Sequence, residues 1–124
     1  MEPLNLSQLY TFFKDTLTHC GTFLLTCDRE DIEYHIFEEF DSDCSSFLHE
    51  SNLRALLDGG FINAEICSEA LRLSAAFRAL EGTALWNPEA VTCGETWREV
   101  LGLGDRVQGM VKAHEEWENY TNCL

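Results

Sequence analysis

Apolar residues recur at three- and four-residue steps along most of this chain, the spacing of helices that bury one face. Behind Ser7, a residue able to cap a helix start, Leu9, Tyr10, Phe13, Leu17 and Cys20 keep that spacing until Gly21 supplies a stop. Phe47, Leu48, Leu53, Leu56 and Leu57, closed by Gly59-Gly60, predict a short, broken helix. Asn63 opens the clearest pattern: Ile66, Ala70, Leu73, Phe77 and Leu80 step by four, three, four and three until Gly82 ends it. Its alanines predict a closely packed, central position. Asn87-Pro88 starts a single turn. Thr92-Cys93-Gly94-Glu95 then has capping-box spacing ahead of Trp97, Leu101, Gly104, Val107, Val111, His114 and Trp117, with Gly102 and Gly104 as points where this helix would divide. The stripe assigns both Trp97 and Trp117 to the core.

Residues 22–37 read two ways. Thr22 to Cys27 is short and β-compatible, and Ile32, Tyr34 and Ile36 alternate like a strand, which allows a hairpin turning at Asp28 to Asp31. Yet Ile32, Ile36, Phe37 and Phe40 also fit one helical face, with Glu30, Asp31, Tyr34, Glu38 and Asp41 on the opposite one. We prefer the helix. The expected fold is then a single all-α domain spanning residues 1–124, a bundle of about five to seven helices. Its shared core is Phe13, Leu17, Ile66, Leu73, Phe77, Leu80, Trp97, Leu101 and Val107. The alternative is an α+β fold with a small hairpin near residues 22–37.

Charge narrows the partners. With 22 acidic residues against 8 basic ones the formal charge is −14, which repels nucleic-acid phosphates and anionic lipid surfaces. Between Asp28 and Asp43 stand eight acids, Asp28, Glu30, Asp31, Glu33, Glu38, Glu39, Asp41 and Asp43, against Arg29 alone. Interleaved phenylalanines and isoleucines argue against a solvated tail. The expected partner is therefore a basic protein, met by Glu30, Asp31, Glu33, Tyr34, Glu38, Glu39, Asp41 and Asp43. Tyr34 supplies an amphipathic ring among the acids that steer.

Candidate chemistry is sparse. Six cysteines would permit three disulfides, but Met1 leads into Glu2 and Pro3 without an apolar leader, so a cytoplasmic setting with reduced thiols is expected. Asn5-Leu6-Ser7 and Asn119-Tyr120-Thr121 match glycosylation sequons, which carry no meaning without secretion. His35, Cys44 and His49 are the nearest to a ligand set, yet no Cys-x-x-Cys, His-x-x-x-His or calcium-loop spacing accompanies them. Glu38-Glu39 and Glu115-Glu116 diverge by about 100° on a helix and do not converge on a substrate. No nucleophile elbow or phosphate-cradling loop is present. The expectation is no enzymatic activity, no cofactor and no metal.

Phe37-Glu38-Glu39-Phe40-Asp41, Ser46-Phe47-Leu48-His49-Glu50, Leu80-Glu81-Gly82-Thr83-Ala84-Leu85-Trp86-Asn87 and Glu95-Thr96-Trp97-Arg98-Glu99-Val100-Leu101 together resemble a known group. They are similar to the small acidic, helical immunity proteins encoded beside bacterial polymorphic toxins, including contact-dependent growth inhibition systems. The likeness covers roughly residues 30–112. It implies an antitoxin that captures a cognate toxin, a nuclease with a basic substrate cleft, and occludes its active site. The alternative is an acidic cytosolic adaptor or regulator that uses the same face on a basic protein.

Overall fold

The computed structural model describes residues 4 to 122. Met1 to Pro3, on which the reading of a missing leader rests, and the thiol of Cys123 lie outside them. Asn5, not Ser7, caps α1 (Leu6–Thr18). Its side chain accepts a hydrogen bond from the Gln8 amide at 2.8 Å, and Gln8 Oε1 accepts one from the Asn5 amide at 3.1 Å. The reciprocal pair satisfies two donors that a helix start leaves open. Ser7 falls within the first turn, where its carbonyl accepts from Thr11.

No strand occurs among the described residues, and the fold is all-α. Where a hairpin was the alternative, the chain makes a 3-10 turn at Thr22–Thr26. It continues through α2 (Arg29–Ile32), a π-helical stretch (Glu33–Phe40) and α3 (Asp41–Phe47). Backbone angles stay helical at both junctions, so residues 29–47 form one acidic rod. Its period follows from what it buries: Ile32, Ile36, Phe40, Cys44 and then Leu48, each four residues after the last. In an α-helix every such step advances about 40° past a full turn, and five residues would wander about 160° round the rod. The wider turns of a π-helix bring the stripe back onto one side.

α4 (Glu50–Asp58) follows, then α5 (Ala64–Arg78), which Asn63 caps by accepting from the Ile66 amide at 2.8 Å. α5 stops at Arg78, and Gly82, with φ of +80°, makes the turn beyond it. After α6 (Pro88–Val91) comes α7 (Glu95–Asn122). Thr92 does not begin a capping box. It ends α6, and its hydroxyl donates to the Glu89 carbonyl.

Neither Gly102 nor Gly104 breaks α7. Gly104 is instead a point of close approach: a Cβ there would stand 2.1 Å from the carbonyl oxygen of Cys20, so only glycine lets α7 lie against the end of α1. Two polar contacts hold the crossing. Gln108 Nε2 donates to the same Cys20 carbonyl at 3.2 Å, and the Asp105 carboxylate accepts from the Thr22 amide at 3.1 Å.

α5 packs along α7, while α1 meets α3, α4 and α7. The nine residues expected in the shared core, Phe13 to Val107, are all buried. Phe37, Phe40, Phe77, Trp86 and Trp97 form an aromatic cluster of edge-to-face and tilted pairs where the acidic rod, α5 and α7 meet. Trp97 Nε1 donates to the Leu85 carbonyl at 2.7 Å and ties the α5–α6 connection to it. The assignment of Trp117 to the core is corrected. It is 63% exposed, because burial along α7 ends at Val111 and the helix runs on past its neighbours.

Candidate partner-binding face

The acidic rod begins at Asp28, whose carboxylate accepts from the Asp31 amide at 2.9 Å. Glu30 and Asp31 occupy the first turn, where the positive end of the helix dipole offsets part of their repulsion. Arg29, the base within the segment, pairs with Glu89 of α6. It therefore neutralises no acid on its own rod.

Of the eight partner-facing candidates, Glu30, Asp31, Glu33, Tyr34 and Glu38 are exposed, and Glu39, Asp41 and Asp43 are half-buried. They do not share one face. Asp41 turns toward α5, where its carboxylate pairs with Arg78. The same guanidinium donates to the Asp41 carbonyl at 2.7 Å and to Ser45 Oγ at 2.6 Å, and its Nη1 lies 3.1 Å from Glu81. This corrects the grouping of Asp41 with Tyr34, which assumed an α-helical wheel throughout. The π turns between them rotate the two apart.

Asp43, expected at the margin, falls within an acidic group with Glu39 and Asp15 beside His19. Burial first, then the Glu39 charge, holds its carboxyl above the ordinary aspartate range, while His19 pulls the other way. His19 Nε2 lies 3.9 Å from Asp15, and its Nδ1 lies 2.9 Å from His35 Nδ1. One ring must donate and the other accept, so the two imidazoles join α1 to the rod through one shared hydrogen.

Tyr34 lies edge-on to both histidines, with centroids 6.0 Å from His19 and 5.0 Å from His35. Phe23 of the 3-10 turn meets His35 edge-on at 5.3 Å. Tyr34 is thus held at its base and still 47% exposed. Local pattern did not reveal that His19 of the α1 end would meet Tyr34, nor that Phe23 would meet His35. The available signal was the Gly21 stop, which says that the chain turns back but not onto what.

The remaining candidates have structural partners. Cys44 Sγ lies 3.4 Å from Ser74 Oγ, and burial holds its thiol above the ordinary range; Cys20, fully enclosed, is pushed the same way by burial. His49 accepts from the Ser51 amide and caps α4. Glu115 pairs with Lys14 at 3.0 Å. Among the described residues no three His, Cys, Asp or Glu side chains form a group that could hold a metal ion. Nor is any helix of them long and apolar enough to cross a membrane. Comparisons with protein-family models, with curated proteins and with solved structures give no match.

Proposed function

We propose that this chain is an immunity protein, which binds a basic toxin domain and neutralises it by covering the site where that domain acts. The observation that carries the reading is the run of exposed acids Glu30, Asp31, Glu33 and Glu38 on a rigid helical rod whose own base is committed to Glu89. Such a surface accelerates encounter with a basic partner, and its carboxylates can occupy positions meant for nucleic-acid phosphates. Tyr34, set on the two histidines, provides an aromatic anchor beside them. The motif resemblance around Phe37 to Asp41 and Glu95 to Leu101 supports the same role. Inhibition would be stoichiometric, with no turnover by this chain.

The test is copurification with the product of the neighbouring gene, followed by binding kinetics. Glu30→Lys, Asp31→Lys and Glu38→Lys together should slow association and flatten its salt dependence. Tyr34→Ala should cost about 2 kcal/mol of binding. Asp41 is left intact in this variant because its carboxylate pairs with Arg78 and ties the rod to α5. Unchanged affinity, with unchanged protection of toxin-expressing cells, would sink the assignment of this face.

A further inference from the structure

Tyr34 owes its position to a contact that protons can make and unmake. His19 Nδ1 and His35 Nδ1 lie 2.9 Å apart, closing the end of α1 onto the acidic rod, and the Tyr34 ring rests edge-on against both imidazoles. Phe23 covers His35 from the 3-10 turn. The His19 side chain is only 13% exposed, so its ring depends on this partner more than on water.

The hydrogens on the four ring nitrogens decide what acid does to the contact. In the neutral pair one Nδ1 carries the shared hydrogen and the other accepts it, whichever ring is the donor. A first added proton goes to the Nε2 of the donor ring. It leaves the shared bond in place and adds charge to it. The one lone pair then left in the pair is the accepting Nδ1 itself, so a second proton must take the site that holds the two elements together. Two cationic N–H groups would then face each other at hydrogen-bond distance, and the contact has to open.

Acidic groups surround the pair on several elements. Asp15 of α1 stands 3.9 Å from His19 Nε2, Glu39 and Asp43 close on the same group from the rod, and Asp31 and Glu39 stand four residues before and after His35. Asp105 of α7 is engaged by Thr22 beyond the turn, and the 3-10 turn itself carries no ionisable side chain. Among the described residues Asp15, Glu39 and Asp43 have no lysine or arginine at ion-pair distance, which leaves imidazolium as the cation within their reach.

We propose that His19 and His35 form a proton-operated latch, shut while the pair holds at most one added proton and opened by the second, a regulation that rests on the binding role argued above. Opening frees Tyr34 from both rings and lets the rod part from α1 beside Asp15. The basic partner is then held at neutral pH and released on acidification.

The test is imidazole-resolved nitrogen NMR of the full chain, taken from about pH 8 to about pH 5. Proton uptake by the pair in two steps is expected, with the Overhauser contacts of Tyr34 to both rings surviving the first and vanishing with the second. Asp43 also takes up a proton on acidification, so ring-resolved spectra decide where a melting curve would mix the two events. His35→Gln keeps a hydrogen-bonding group opposite His19 and cannot take the second charge, so its contact of Tyr34 with His19 should persist throughout. Across the same range the unaltered chain should lose about tenfold more affinity for the copurified partner than His35→Gln does. Independent single-step titration of the two rings, Tyr34 contacts intact at the acid end, or an equal loss of affinity in His35→Gln would each overturn the latch. Spectra of the unaltered chain decide this whether or not His35→Gln folds. A partner bound through Tyr34 with the latch shut at every pH defeats the latch alone. A latch that opens in a chain capturing no basic protein defeats the immunity reading alone.

Discussion

The acidic rod and α7 are the two longest helical runs of the molecule, and they meet the same demand in opposite ways. The rod buries a residue at every fourth position for its whole length, and its backbone widens into π turns to keep those residues on one side. α7 keeps the ordinary helical period, buries Trp97, Val100, Leu101, Gly104, Val107 and Val111, and then leaves its neighbours. In the first case packing bends the period to the sequence. In the second the period wins, and the surplus length becomes surface.

The largest test of that contrast lies within α7. Trp97→Ala should cost about 3–5 kcal/mol in denaturant unfolding, because it empties the aromatic cluster and removes the bond to Leu85. Trp117→Ala should stay within about 0.5 kcal/mol. Comparable losses at the two tryptophans would show that the end of α7 is packed after all.

Next come the glycines two residues apart. Gly104→Ala should lose about 1–3 kcal/mol, because the methyl meets the Cys20 backbone and α7 must shift. Gly102 has open space where a Cβ would stand, so Gly102→Ala should gain about 1 kcal/mol from helix propensity. A gain at both positions would mean that the α1–α7 crossing is looser than its geometry.

The smallest effect belongs to the rod. Since the folded state holds the Asp43 carboxyl above its unfolded range, the folded chain keeps that proton longer as pH rises. Asp43 therefore lowers stability above its folded pKa, and the loss is relieved as pH falls through that value. Asp43→Asn should raise the melting temperature at neutral pH and reduce the gain seen on mild acidification. An identical pH profile in the variant would remove Asp43 from the account.

The core was legible because its signal is local. Ile66, Leu73 and Phe77 announce α5 by spacing alone, and the spacing of Ile32, Ile36 and Phe40 decided correctly between helix and hairpin. What failed depended on distant partners. Trp117 continues the stripe on paper, and a wheel cannot say where the neighbouring helices end. Asp41 looked free until Arg78, 37 residues away, took it. Widening at Glu33–Phe40 is imposed by tertiary packing, so a wheel of fixed period misplaced the acids beyond it. Glu30, Asp31, Glu33 and Glu38 were legible as exposed charge, whereas the contact of His19 with His35 joins two segments that no local pattern connects.

The separation of the tryptophans has an optical consequence. Trp86 and Trp97, 6.1 Å apart in the aromatic cluster, share electronic transitions and should give a coupled near-ultraviolet dichroism band that vanishes with the core. Trp117 stands in water and should emit at longer wavelength, open to collisional quenchers. One unlabelled sample thus carries two independent colours. Loss of the dichroism band would report unfolding, while a blue shift with protection from iodide would report a partner settling on the end of α7.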